Sequence, residues 1–465
     1  MADSAATPAI DTVLARIDAD MPAATGRLLD LLRIPSISTD PAFAEACTAA
    51  ADWLVADLAS MGFDAARHDT PGRPMVVAHA GSGAPHLLFY GHYDVQPVDP
   101  LSLWHRDPFD PAIEDGPNGP VIRARGASDD KGQLMTFLEA FRAWIAVHGQ
   151  LPCRITVFLE GEEESGSPSL VPFMQDHAGA LKADLALICD TDLFESRTPA
   201  IVTMLRGLLG EEVTIRAAAR DLHSGMYGGP AINPIRVLTR ILGGLHDASG
   251  RVTVPGFYDG VKELDPGVRA QWQGLAFDHA AFLGAVGLNT PAGEVDRTPL
   301  EQVWSRPTGE INGIWGGYTG AGFKTVLPAE AHAKVSFRLV PGQDPLALRA
   351  AFCAWVEAQL PPDCTAEFHG HGASAAGEMN TGHPAFEAAR TALSAEWGVP
   401  AAYVGCGGSI PIAGFFQSIL GMDALLTGFA TEDNQIHAPN EKYDVRSFHK
   451  GIRSWARILA AVARA

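Results

Sequence analysis

The chain has 465 residues, 47% of them hydrophobic and 19% charged, which describes a globular protein too long for one ordinary core, so two domains are expected. Its 34 basic and 54 acidic residues give a formal charge of −20, which argues against nucleic acid or an anionic membrane surface as the main partner. The six cysteines show no CxxC pair and no framework spacing, and no run of about 18 apolar residues indicates a membrane span. With neither a basic nor an apolar leader at its start, the chain reads as cytoplasmic.

Residues Ile10 to Leu32 read as an amphipathic helix, and Ala42 to Met61 repeats the pattern up to Gly62. Pro74–His79 and His86–Tyr90 are short apolar strands, and Gln133 to Val147 is a helix. Ile155–Leu159 and Ala183–Cys189 follow as further buried strands. Strands alternating with helices predict an α/β layer structure, in which ligands bind at the carboxyl ends of the strands.

From Gly207 the texture changes. Glu211–Arg216 and Ala333–Arg338 alternate as strands with one solvated face do, with helices expected at Pro234–Gly244 and Pro345–Leu360. That order suits a small antiparallel α+β domain, and after Phe386 strand–helix alternation resumes. The middle therefore reads as an insertion: residues 1–207 and 386–465 form one domain and 208–385 the other. The glycines of Gly316–Gly322 do not follow a strand in the manner of a dinucleotide fold, and no Walker A, His-Glu-x-x-His or Gly-x-Ser-x-Gly motif occurs.

Acidic and histidine residues recur where strands end and helices begin. The strand His86–Tyr90 runs into Gly91-His-Tyr-Asp94, and Arg125-Gly-Ala-Ser-Asp-Asp-Lys-Gly132 opens a helix. Ile155–Leu159 runs into Glu160-Gly-Glu-Glu-Glu-Ser-Gly-Ser167; Cys189-Asp-Thr-Asp192 and Gln435-Ile-His-Ala-Pro-Asn-Glu441 follow other apolar runs. Singly, each is a solvated loop or a helix cap. Together, two histidines and three carboxylates form a donor set that zinc, cobalt or manganese accepts, and one carboxylate can bridge two ions. Three ligand carboxylates and a general base carry four negative charges, which two divalent cations offset.

The motifs His92-Tyr-Asp-Val-Gln-Pro, Ser128-Asp-Asp-Lys-Gly, Glu160-Gly-Glu-Glu-Glu-Ser-Gly-Ser, Asp221-Leu-His-Ser-Gly and His437-Ala-Pro-Asn-Glu-Lys, taken in order, resemble the signature set of the M20 metallopeptidases, in particular the carnosinase-like dipeptidases. The resemblance implies a zinc-exopeptidase-like catalytic domain, a mixed sheet flanked by helices, with an inserted ferredoxin-like lid that dimerises. It implies two zinc ions per subunit, with manganese or cobalt as alternatives. His92 and Asp190 would hold one, Glu164 and His437 the other, and Asp129 would bridge. Glu163 would be the general base and Asp94 the partner that orients His92. A cis peptide is implied at Asp129–Asp130, making Asp130 and Lys131 structural. His223 would reach a partner subunit's site and hold the oxyanion, while Lys324, Thr325, Arg338, Asn233 and Ser409 match residues that bind substrate. The activity implied is hydrolysis of small unblocked dipeptides. The alternatives are an N-acyl amino acid deacylase or desuccinylase, a carboxypeptidase acting on longer substrates, and a non-catalytic metal- or peptide-binding protein.

Overall fold

The structure, a computed structural model, describes residues 10–464 apart from 276 and 409. It divides into two compact units: Met1–Val202 with Met379–Tyr403 and Phe415–Ala465, and Thr203–Glu378 with Val404–Gly414. Residues 404–414, assigned on sequence to the first domain, group with the second unit.

The first unit is built on a mixed sheet. Its strands lie in the order Asp64–His68, Met75–Ala80, Arg154–Glu160, His86–His92, Leu185–Ile188, Ala424–Leu426, Ala200–Leu205. The four central strands are parallel to one another, and those outside them run antiparallel. Alternation of side chains across the pleat explains the two-sided core. Phe89 packs on Phe137, Phe141 and Trp455 of the helices Lys131–His148 and Val445–Val462, while Tyr90 meets Phe416. The helix Ile10–Leu32 lies against both of those helices. Parallel register places His92 beside Glu160, and the neighbouring strand ends at Ile188, two residues before Asp190. One edge of the sheet thus collects the acidic motifs.

The helix Lys131–His148 starts two residues earlier than its hydrophobic pattern indicates, at the point where the chain turns tightly. A Cβ on Gly132 would stand 1.8 Å from the Ala127 carbonyl oxygen and 2.8 Å from the Tyr443 ring. Gly132→Ala is therefore expected to force the 127–132 backbone apart and to destabilise the protein by about 1–3 kcal/mol. A fall in the thermal midpoint together with weaker metal retention checks this; an unchanged midpoint contradicts it.

In the second unit, antiparallel strands lie in the order Thr308–Gly316, Glu330–Leu339, Gly207–Arg216, Thr365–Ser374. The helices Pro234–Gly243 and Pro345–Glu357 pack on this sheet over a core that includes Leu209, Val213, Ile241, Val335 and Phe352. In chain order the elements are β-α-β-β-α-β, the ferredoxin-like arrangement. Gly316 closes the strand Thr308–Gly316, which the sequence pattern does not reveal because most of its residues are exposed. A separate ribbon pairs Leu222–His223 with Val326–Leu327. Among the described residues, no helix is long and apolar enough to cross a membrane.

Candidate metal centre

Five side chains of the first unit converge at the carboxyl edge of its sheet. His92, Asp129 and Asp190 offer ligand atoms within 4.8 Å of one another, and so do Asp129, Glu164 and His437. Asp129 belongs to both groups, and the two imidazoles address opposite oxygens of its carboxylate. His92 Nε2 lies 3.0 Å from Oδ1, and His437 Nε2 lies 2.9 Å from Oδ2. His437 Nε2 is also 3.2 Å from Glu164 Oε1, and His92 Nε2 is 3.9 Å from Asp190 Oδ2. His437 sits in a left-handed backbone conformation, φ 61°, uncommon for a residue with a Cβ and typical of functional loops.

The electrostatics fit a cationic occupant. Burial holds the Asp190 carboxyl well above its usual range; His92 opposes this while Asp129, Glu163 and Glu164 reinforce it. Burial also raises Glu163. Hydrogen bonds to Asp129 and Glu164 lift His437 to about 10. For His92, burial pulls downward, but the hydrogen bonds to Asp129 and Asp94 win and hold it well above its usual value. Crowded carboxylates that favour positive charge nearby, presented with two imidazoles, form a donor set suited to divalent zinc, manganese or cobalt.

The elements around the site fix its geometry. Asp94 is fully buried; its Oδ1 lies 3.3 Å from His92 Nδ1, and its two oxygens accept the Glu163 and Glu164 N–H groups at 3.2 and 3.0 Å. One carboxylate therefore orients the imidazole and pins the 3₁₀ turn Glu163–Ser165. The four glutamates that follow the strand divide their work. Glu160 accepts the Tyr90 hydroxyl at 2.6 Å, and Glu162 points away, accepting from the Arg73 and Ser169 backbones at 2.8 and 3.0 Å. Only Glu164 joins a ligand group, with half-buried Glu163 beside it. The Asp129–Asp130 peptide is cis; Asp130 accepts the His92 N–H at 3.1 Å, and Lys131 donates to the Leu31 and Ile34 carbonyls.

Two residues whose roles the motifs did not disclose also act here. Gln96 donates to Glu164 Oε2 at 2.7 Å. Glu441 accepts from the backbone of Gly126, Ser128 and Asp129 and from Arg125, so it shapes the loop that carries Asp129. Both lie inside the quoted motifs, which was the available signal.

The remaining candidates belong to the second unit. His223 is exposed on the ribbon, where its Nδ1 accepts the Gly225 N–H at 3.0 Å, so the proton resides on Nε2. The Thr325 carbonyl accepts from Ser224 N, and Lys324 Nζ lies 3.7 Å from Asp221. Asn233 caps the helix Pro234–Gly243 through its side-chain oxygen. Arg338 is half-buried on its strand and lines a cavity. Ser409 lies outside the described residues.

Residues 88–461 match the profile of peptidase family M20/M25/M40. A Cys-Gly metallodipeptidase of Schizosaccharomyces pombe is 29% identical over 462 residues, covering 94% of this chain and 95% of the relative. The crystal structure of human carnosine dipeptidase 1 superposes with a TM-score of 0.79 at 26% identity, covering 99% of this chain and 100% of that one. An M20 family metallo-carboxypeptidase from Sulfolobus solfataricus gives 0.81 at 31% identity, covering 95% and 99%.

Proposed function

Because the chain belongs to peptidase family M20/M25/M40, we propose that it is a two-metal dipeptidase in which Glu163 is the general base. The observation that carries this reading is the shared Asp129, with one imidazole on each of its oxygens and Glu163 directly before Glu164. His92 and Asp190 would hold one ion, Glu164 and His437 the other, and Asp129 both. Bound there, two divalent ions, zinc in the first instance and manganese or cobalt otherwise, supply an acidified water and polarisation of the scissile carbonyl.

The chain's own groups do the rest. Glu163 accepts the proton of the attacking water and delivers it to the departing amine. Asp94 keeps the His92 ring and the Glu163–Glu164 backbone in register. His223, through its Nε2–H, donates to the oxyanion of a partner subunit's substrate in a homodimer. The Arg338 guanidinium pairs the substrate's C-terminal carboxylate through two parallel hydrogen bonds, and Thr325, Asn233 and Ser409 are further substrate-binding residues. The six cysteines form no disulfide, as suits a reducing cytoplasm.

Metal-loaded protein should be offered free dipeptides, N-acetyl and N-succinyl amino acids, and tripeptides, with the products identified. Cleavage of dipeptides alone is expected. Release of C-terminal residues from tripeptides would favour the carboxypeptidase reading that the Sulfolobus structure supports, and cleavage of acyl substrates alone would make it a deacylase.

Donation of His223 in trans has its own check. His223→Ala and Glu163→Ala are each expected to be inactive alone. Co-expressed, they form mixed dimers in which one of the two sites has both Glu163 and a partner's His223 while the other has neither, so measurable activity returns. Mixed dimers isolated with two affinity tags and still inactive would refute the assignment.

A further inference from the structure

The second unit contains a cavity of about 640 Å³ walled by Arg206, Arg306 and Arg338 with Thr308, Glu310 and Ser336, among others. Three guanidiniums around one space need anions, and only one of them has a close carboxylate partner. Arg306 reaches Glu294 at 2.5 and 3.0 Å. Among the described residues, no carboxylate forms an ion pair with Arg206 or Arg338. Glu310, the other acidic side chain on the wall, is exposed.

Backbone register explains why the two unpaired arginines are neighbours. Arg338 lies opposite Leu208, and Leu339 opposite Gly207, so Arg206 adjoins the end of the strand that flanks Arg338. Ser336, two residues before Arg338, shares its face of the sheet. The Arg206 fork is anchored by Nε to the Gly407 carbonyl at 3.0 Å and by Nη1 to the Gln302 carbonyl at 3.4 Å. Among the described residues, Nη2 donates no hydrogen bond. Burial, and next the charge of Arg338, bring the Arg206 guanidinium down to about 10 against a smaller opposing pull from Cys406 and Glu310, still a cation at neutral pH. Two like charges held together in a partly dehydrated wall repel, unless an anion lies between them.

We infer that this cavity takes a ligand with two carboxylates, so that the enzyme favours dipeptides whose C-terminal residue is aspartate or glutamate, with Arg206 taking the side-chain carboxylate. The inference rests on the reading that Arg338 takes the C-terminal carboxylate. Discrimination against the amide follows from chemistry: a guanidinium fork meets two acceptors on a carboxylate but one acceptor and one donor on glutamine.

The test compares Ala-Glu with Ala-Gln on the full-length, metal-loaded enzyme and on Arg206→Gln, Arg206→Lys and Arg338→Gln. The wild type is expected to prefer Ala-Glu in kcat/KM by at least about tenfold, as sites built to hydrogen-bond a substrate group do. In Arg206→Gln the ratio falls to about one, Arg206→Lys retains part of it, and Arg338→Gln slows both substrates together. Calorimetric titration with free L-glutamate and L-glutamine reads the same discrimination without turnover. A wild-type ratio near one with equal binding of the two amino acids overturns the inference and leaves the dipeptidase reading intact. A preference that survives in Arg206→Gln also overturns it. If neither dipeptide is cut, yet glutamate binds selectively and Arg206→Gln loses that selectivity, the cavity assignment holds and the dipeptidase reading fails.

Discussion

Glu163→Gln is expected to lower kcat on a good dipeptide by roughly a hundred- to ten-thousand-fold while leaving two metal ions per chain. Glutamine matches the shape of glutamate but cannot accept the water's proton. The metal should remain because Glu163 belongs to neither ligand group. Its backbone should also stay in place, since Asp94 accepts the Glu163 N–H whatever the side chain. Turnover read beside elemental analysis separates the cases. Unchanged kcat would remove Glu163 as the base, and loss of one metal would make it a ligand. Glu162→Gln is the natural control, because Glu162 clasps the Arg73 and Ser169 backbones rather than facing the ligand groups. It should weaken the fold without abolishing turnover in the enzyme that remains folded.

Elements with strong local periodicity were legible from sequence. The strand Arg154–Glu160 and the helix Lys131–His148 bury most of their residues, so hydrophobic runs mark them to within two residues. The candidate ligand groups were legible for a related reason. Parallel strands bring their carboxyl ends to one edge, so polar motifs placed after apolar runs become neighbours in space. Elements with little burial left no such trace. The hairpin Ala112–Gly116 and Gly119–Arg123 and the strand Thr308–Gly316 are largely half-exposed or exposed, and apolar and polar residues do not alternate along their sequences. Roles that depend on distant pairing were hidden for another reason. Glu441 meets its partners across more than 300 positions of chain, and no local pattern encodes that distance. The split of the four glutamates into strand anchor, loop clasp, base candidate and ligand candidate likewise depends on where the turn after Gly161 sends each side chain.

Removing the Glu441 charge is expected to be the most destabilising change outside the ligand groups. Its carboxylate is fully buried and accepts four hydrogen bonds: from Arg125 Nη1 at 2.8 Å, Gly126 N at 2.9 Å, Ser128 N at 2.9 Å and Asp129 N at 3.1 Å. Burial raises this carboxyl and Arg125 pulls it down, so the ionised form depends on its partner. Glu441→Gln turns an NH₂ group toward backbone donors and leaves Arg125 as a buried cation without its counter-ion. Breaking a buried pair from one side costs about 3–5 kcal/mol. The same change loosens the backbone that presents Asp129, so metal affinity should fall by about 10- to 100-fold, as for other groups that support a ligand from behind. The double variant Arg125→Met/Glu441→Gln should recover part of the lost stability, because no unpaired charge remains, but not the metal affinity, because the Ser128 and Asp129 N–H groups still face an amide. Thermal midpoints and metal competition titrations distinguish these effects. Full recovery of metal binding in the double variant would mean that the Arg125 charge, rather than the carboxylate's grip on the loop, governs where Asp129 stands.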